Sequence, residues 1–237
     1  MAKIYNDISG MLLLDKPSGI TSFKVVHKIK KMLKVKKVGH CGTLDPAATG
    51  LLIVLVGKAT KIQDKFMKKD KVYISSFLLG TVTNTGDLEG NIVYQKYFLD
   101  ILDIDIKKIK NAAKNFTGEL YQVPPMYSAL KHKGKKLYEF ARRGIEVERK
   151  SKKIVINEFE VISYFNDIVN VRVSCSSGTY IRALAQDFGN FLGCGATVKT
   201  LRREYIDTFD VKNALKYEDC DDVNKIIENM ISLDIYK

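Results

Sequence analysis

Proline is scarce in this 237-residue chain, with four residues, and no stretch rich in proline, serine and glycine interrupts it. No linker between independent domains is signalled, so one main domain over 1–237 is expected. Long hydrophobic runs are missing too. Leu51 to Val56 is the longest informative one, at six residues, against the ~18 of a membrane span. Met11 to Leu14 is the apolar block nearest the N-terminus, which is not a signal-peptide pattern. The cysteines, Cys41, Cys175, Cys194 and Cys220, form no C-x-x-C pair, and a chain of this size needs no staples. Reduced thiols in a cytoplasm are the expectation. His27, His40 and His132 have no ligand spacing to one another or to a cysteine, so no metal is expected. Neither G-x-x-x-x-G-K-[ST] nor a G-x-G-x-x-G after a strand occurs, and G-x-S-x-G is absent. Nucleotide cofactors and serine-hydrolase chemistry therefore have no support.

What is present is an ordinary globular composition with an uneven charge. Hydrophobic residues make up 46% and charged residues 28%, which excludes a disordered chain or a coiled coil. The net charge is +12. Residues 1–70 contribute +9 and residues 121–153 contribute +7, residues 71–120 balance, and residues 154–237 carry −4. Two separated basic blocks fit a polyanionic partner, of which nucleic acid is the commonest. A merely solvated lysine-rich surface is the alternative.

Apolar periodicity places the elements. Met11 to Leu14 reads as a short buried strand closed by a turn at Lys16-Pro17-Ser18-Gly19. Thr21 or Ser22 caps a helix to about Lys34, with Val26, Ile29 and Leu33 on its apolar face. A glycine-punctuated loop from Gly39 to Gly50 leads into the buried strand Leu51 to Val56. A helix is predicted from about Ala59 to Met67, then strands at Lys71 to Leu79 and Ile92 to Gln95. Ile106, Ile109, Ala113 and Phe116 form a helical stripe. Residues 121–153 read as a basic excursion with interleaved aromatics and a short helix from Lys136 to Arg143. Ile154 to Ile162 and Ile168 to Cys175 alternate as strands, with Val169, Val171, Val173 and Cys175 on one face. A helix carrying Ile181, Leu184, Phe188 and Leu192 ends at Gly193, and Val198 to Asp207 is a further strand. Strands and helices mix without a strict β-α-β rhythm, so the fold class is α+β.

The segment Gly39 to Gly50 is the most informative. Asp45, followed by Pro46, sits among glycines and small residues just before a buried strand. Glycines allow close approach of backbone and substrate, Pro46 stiffens the chain, and a rigid strand behind a polar loop can aim a side chain. Asp-Pro is also a common turn pair, so a simple turn cap is the competing reading.

The run Gly39-His40-Cys41-Gly42-Thr43-Leu44-Asp45-Pro46-Ala47-Ala48-Thr49-Gly50 resembles the aspartate motif of the TruB-type tRNA pseudouridine synthases. Further stretches agree in order: Leu13-Leu14-Asp15-Lys16-Pro17, Lys71-Val72-Tyr73, Met126-Tyr127-Ser128-Ala129-Leu130-Lys131, Ser177-Gly178-Thr179-Tyr180-Ile181-Arg182 and Leu201-Arg202-Arg203. The resemblance runs from about Met11 to Phe209. It implies a pseudouridine synthase fold, with a mixed, mainly antiparallel central sheet flanked by helices and loops. It implies an isomerase that converts uridine 55 of the tRNA T-loop to pseudouridine, without cofactor or metal. Asp45 matches the essential carboxylate, which either attacks base or sugar or removes a ribose proton. Arg182 matches its partner arginine, where a solvated helix residue is the bland alternative. Tyr73 matches a tyrosine that stacks on the flipped uracil, and His40 a histidine that contacts the neighbouring nucleotides. Tyr180 and Leu201 match the uracil pocket, and Lys16 and Pro17 a motif that supports the active-site loop. Cys41 departs from an expected threonine and Ala47 from a leucine.

The excursion 121–153 resembles the family's RNA-gripping thumb, with Lys131, Lys133, Lys135, Lys136, Arg142 and Arg143 on phosphates of the T-loop and T-stem. Guide-RNA-dependent relatives lack such a thumb, so a stand-alone enzyme is implied; a cytoplasmic monomer is the further expectation. About 30 residues follow Asp207. That is too few for the PUA-type RNA-binding domain usual in the family, so a short form without it is expected.

Overall fold

The computed structural model describes residues 8–95 and 104–232. In chain order the elements begin β1 (Gly10–Lys16), α1 (Ser22–Leu33), β2 (Val38–His40), β3 (Thr49–Val56), α2 (Gln63–Met67), β4 (Lys71–Leu79), β5 (Thr81–Thr83) and β6 (Ile92–Gln95). Next come α3 (Ile106–Asn115), β7 (Gly118–Gln122), β8 (Lys131–His132), β9 (Lys135–Lys136), α4 (Leu137–Ala141) and β10 (Lys152–Phe165). The chain continues through β11 (Ile168–Cys175), α5 (Ile181–Phe191), β12 (Ala196–Ile206), β13 (Phe209–Asp210), β14 (Leu215–Lys216) and α6 (Val223–Glu228). Helices and a mainly antiparallel set of strands make the mixed architecture expected from the sequence. Among the described residues no helix is long and apolar enough to cross a membrane. Two compact units are formed, one by the chain up to Val72 and from Arg202 onward, the other by Tyr73–Leu201.

In the first unit the strand order is β14-β1-β3-β12, with β2 also on β3 and β13 on β12. β1 and β3 pair antiparallel from Gly10↔Val56 to Lys16↔Gly50. Successive side chains on a strand face opposite ways, and here both faces are covered. Leu12, Leu14, Leu52, Val54 and Val56 pack with Val25, Ile29 and Leu33 of α1. Met11, Leu13, Leu51, Ile53 and Leu55 pack with Ala59, Phe66, Ile206 and Val211. This double covering is why Leu51 to Val56 has no polar alternation. α1 starts where its cap predicts: the Thr21 hydroxyl accepts from the Lys24 amide at 3.2 Å. It ends at Lys34, whose φ of 52° is left-handed.

In the second unit the order is β12-β4-β11-β10-β7. Val169, Val171, Val173 and Cys175 are buried, as their alternation predicts. Phe77, Phe116, Phe159 and Phe188 form an aromatic cluster with ring centroids 5.2 to 6.4 Å apart. α3 packs on β10 and α5 beside it.

Four local readings differ from the sequence expectation. Val38–His40, of which Gly39 and His40 are expected in a loop, is a strand against Val54–Val56; three residues are too few for a period to show, and the free edge of β3 decides. Ala59–Met67 is not one α-helix. Gly57–Ile62 is a 3₁₀ turn, with the Thr60 hydroxyl donating to the Gly57 carbonyl at 2.8 Å, and α2 follows; such back-bonding competes with the α-helical ladder. In β10 the register shifts between Ile156 and Glu158, so the buried positions pass from Ile154 and Ile156 to Phe159 and Val161. A bulge changes phase in a way that strict alternation misses. Finally, the ends of the basic excursion belong to strands, since Lys152 and Lys153 pair with Gln122 and Tyr121. The chain leaves the strands at Val123 and rejoins them at Lys152.

β12 and β3 run parallel with Arg203 opposite Gly50. Gly50 has φ of +102°, and a Cβ there would strike the Arg203 carbonyl and come within 2.8 Å of its nitrogen. Gly50→Ala is expected to cost about 3 kcal/mol. In a chain of this size that lowers Tm by roughly 10 °C, read by circular dichroism on heating. An unchanged Tm contradicts this close approach.

Candidate active site

Asp45 lies half-buried in the loop between β2 and β3. The β1–α1 segment holds that loop from one side. The Leu44 amide donates to the Ser22 hydroxyl at 2.9 Å, and that hydroxyl donates to the Leu44 carbonyl at 3.1 Å. The Gly19 amide donates to the Pro46 carbonyl at 2.9 Å, and the Ser18 hydroxyl to the Ala47 carbonyl at 3.1 Å. Lys16 is fully buried. Its Nζ donates to the carbonyls of Pro17 and Ile20 at 2.8 Å and of Pro46 at 3.1 Å. Three ammonium protons thus meet three backbone acceptors, one of them next to Asp45. Within the loop, the Ala48 amide closes a turn on the Asp45 carbonyl at 3.1 Å. His40 ends β2, and its carbonyl accepts from Gln63 Nε2 at 3.0 Å.

Tyr73, Arg182, Tyr180 and Leu201 belong to the second unit. Tyr73 is buried on β4, and Leu201 is half-buried on β12. Arg182 is not a solvated helix residue: it is 4% exposed in the first turn of α5. Its guanidinium donates to the carbonyls of Thr85 at 2.6 Å and Tyr127 at 2.8 Å. Its Nε lies 3.7 Å from Asp87 Oδ2. The other oxygen of Asp87 accepts from the Thr85 hydroxyl at 2.6 Å and the Glu89 amide at 3.1 Å. Tyr180 is fixed through its backbone: its amide donates to Gln122 Oε1 at 2.8 Å, and its carbonyl accepts from Gln122 Nε2 at 3.1 Å. The sequence reading missed Asp87 and Gln122. Asp87 lies between the strands expected at Lys71 to Leu79 and Ile92 to Gln95, and Gln122 lies in the stretch read as the start of the basic excursion.

Lys131, Lys133, Lys135, Lys136, Arg142 and Arg143 are all exposed. The four lysines ride on the β8–β9 hairpin, in which Lys131 pairs with Lys136 and His132 with Lys135. Lys133 and Gly134 both have positive φ, 47° and 84°, as a tight two-residue hairpin turn demands. Tyr138 supports two of the cations, with Lys136 Nζ 5.5 Å and Arg142 Cζ 5.3 Å from its ring centroid. The His132 ring meets the Phe140 ring at 5.9 Å.

The fold matches solved structures. A chain of a Cbf5-Nop10-Gar1 complex aligns with a TM-score of 0.68 at 30% identity over 90% of this chain and 54% of its own, so this chain spans about half of that one. The class is therefore the pseudouridine synthase fold. Residues 30–181 match the model of the TruB family pseudouridylate synthase N-terminal domain. A tRNA pseudouridine synthase B of Endomicrobium trichonymphae is 64% identical over 98% of this chain and 100% of the relative. One of Protochlamydia amoebophila is 45% identical over 96% and 85%. The chain belongs to the TruB family of pseudouridylate synthases.

Cys41, expected from the resemblance to be a threonine, is a core residue here. The residue is fully buried among Met11, Leu13 and Leu51. Burial pushes its thiol up to about 12, against the opposing charges of Lys71 and Arg203. Burial likewise lifts Cys220 to about 11. All four cysteines are buried. A chromogenic disulfide reagent at pH 8 is expected to label none of them in the folded chain and all four in guanidinium chloride. The sign for stability follows. Unfolded thiols ionise from 9.0 upward while these folded ones stay protonated, so their contribution is complete below pH 9 and is lost as pH rises towards 12. Rapid native labelling contradicts the burial.

Proposed function

We propose that this pseudouridylate synthase isomerises uridine 55 in the T-loop of tRNA, as a stand-alone cytoplasmic monomer whose chain works as one catalytic domain. The glycosidic C–N bond breaks, the uracil turns, C5 joins the ribose and the C5 proton leaves. Redox state is unchanged and no water is consumed, so neither cofactor nor metal is required. Asp45 is the essential carboxylate, acting on base or sugar as nucleophile or on a ribose proton as base. The observation that carries this is the Asp45 loop itself: the backbone on both sides of the carboxylate is anchored by Ser22, Gly19, Ser18 and Lys16, while Asp45 stays half-exposed. Side-chain aim fixed before substrate arrives is what positioning catalysis needs.

The target base must leave the loop stack, at a cost of a few kcal/mol. Stacking on Tyr73 recovers about 1–3 kcal/mol of it, His40 contacts the neighbouring nucleotides, and Tyr180 and Leu201 line the pocket. Arg182 is the catalytic arginine of this reading; a guanidinium held in one direction by Thr85, Tyr127 and Asp87 suits that role. The thumb, 121–153, grips phosphates through Lys131, Lys133, Lys135, Lys136, Arg142 and Arg143. Such contacts place the RNA without reading its bases. Lys16 and Pro17 hold the loop.

The test is tritium release from a T-loop stem-loop RNA labelled at uracil C5. Release is expected from the wild type and none from Asp45→Asn. Tight binding without release by the wild type overturns the enzyme reading in favour of an RNA-binding protein, and release only from other RNAs overturns the target. Arg182→Lys keeps the charge beside Asp87 but loses the fork. It should leave the RNA Kd within about threefold while slowing turnover about 10²-fold. The converse pattern contradicts its role. The double variant Lys133→Ala, Lys135→Ala should lower the slope of log K against log salt by about 1–2, measured by filter binding across a salt series; an unchanged slope removes these lysines from the interface.

A further inference from the structure

Arg203 has no role in the reading above, yet it is the largest fully buried side chain, at 1% exposure. Taking a guanidinium out of water is costly, and an apolar side chain of similar volume fills such a space at lower cost. Two of the five N–H donors of Arg203 go to backbone carbonyls. Nε donates to the Leu51 carbonyl at 2.8 Å and one terminal nitrogen to the Gly42 carbonyl at 3.0 Å. Those carbonyls bracket the loop that carries Asp45. Gly42 has φ of +90°, and a Cβ on it would sit 3.4 Å from the other terminal nitrogen of Arg203. At the far end Gly50 lies opposite Arg203 in the strand register. One rigid planar group therefore spans the mouth of the loop. Lysine, with its donors on a single nitrogen, lacks the fork to do so.

We infer that Arg203 is a positioning residue for the isomerisation: it sets the separation of Gly42 and Leu51 and, through the loop between them, the place of the Asp45 carboxylate. This rests on Asp45 being the essential carboxylate. Lys16 and Ser22 hold the loop near its tip, and Arg203 holds its base. Loosening either end displaces the carboxylate, and a displacement of about 1 Å costs about 10²-fold in rate. Binding of the RNA, which depends on exposed cations elsewhere, is left intact.

The experiment uses the full chain and the labelled stem-loop under single-turnover conditions. Release by the wild type that vanishes in Asp45→Asn tests the functional reading by itself; if it fails, both ideas fall. With that release present, Arg203→Lys should react about 10²-fold more slowly, with RNA Kd within about twofold of the wild type and an unchanged far-ultraviolet spectrum. Gly42→Ala acts on the other partner of the same contact and should show the same split. The double variant should be no slower than the slower single, because both disturb one contact, Gly42→Ala by straining the backbone at a φ of +90° that carries the carbonyl. A rate for Arg203→Lys within twofold of the wild type, a rate loss matched by an equal loss of affinity, or additive effects in the double variant overturns the proposal. If Arg203→Lys does not fold, Gly42→Ala decides: slow reaction with native binding supports the role, and full rate overturns it.

Discussion

Between Gly42 and Ala48 the chain belongs to no strand or helix, so its carbonyl oxygens must find donors outside the backbone ladder. Hydroxyls and amides provide some of them, and two buried cations reach the others, Lys16 at the Pro46 carbonyl and Arg203 at the Gly42 carbonyl. Charge-assisted hydrogen bonds of this kind are about twice as strong as neutral ones, but desolvation of the two ions offsets much of the gain. Their contribution therefore lies in shape more than in stability. A loop held by apolar packing alone can slide, whereas a carbonyl aimed at a fixed ammonium or guanidinium has one direction.

Cations are used in two distinct ways in this chain. The buried ones face backbone oxygens, as Lys16 and Arg203 do in the first unit and Arg182 does in the second. The exposed ones are spread over the surface, α1 and the β8–β9 hairpin among their sites. Local packing restrains several exposed cations, as with the stacking of Lys136 and Arg142 on Tyr138. A local acid neutralises the half-buried Lys28, which pairs with Asp221 at 2.9 Å and lies over the Tyr217 ring. The acidic stretch Glu218-Asp219-Cys220-Asp221-Asp222 thus has cationic partners, Lys28 and Lys225, within its own unit, which net charge by segment does not reveal.

Much of the architecture was legible from period and punctuation. The buried run Leu51 to Val56, the capped helix after Thr21 and the alternating strand Ile168 to Cys175 each express a local rule, and each stands where that rule puts it. Misreadings fell where a neighbour overrides the local rule. The edge of β3 recruits Val38–His40, the shift after Ile156 moves the buried phase of β10, and the Thr60 hydroxyl diverts the start of a helix. Asp87 had no local signal at all, because an acid in a turn looks the same whether it caps the turn or faces a guanidinium.

The longer strands and helices, their apolar faces and the ordered motifs around Asp45 follow from the amino-acid sequence alone, since each is written within one or two turns of chain. Which buried cation meets which carbonyl was decided only in three dimensions. Arg203 lies 152 residues from Leu51 and 161 from Gly42, and Arg182 lies 97 from Thr85. Periodicity reports which way a side chain faces and stays silent on what it will meet. Those meetings are fixed by strand register and by the need of every buried polar group for a partner.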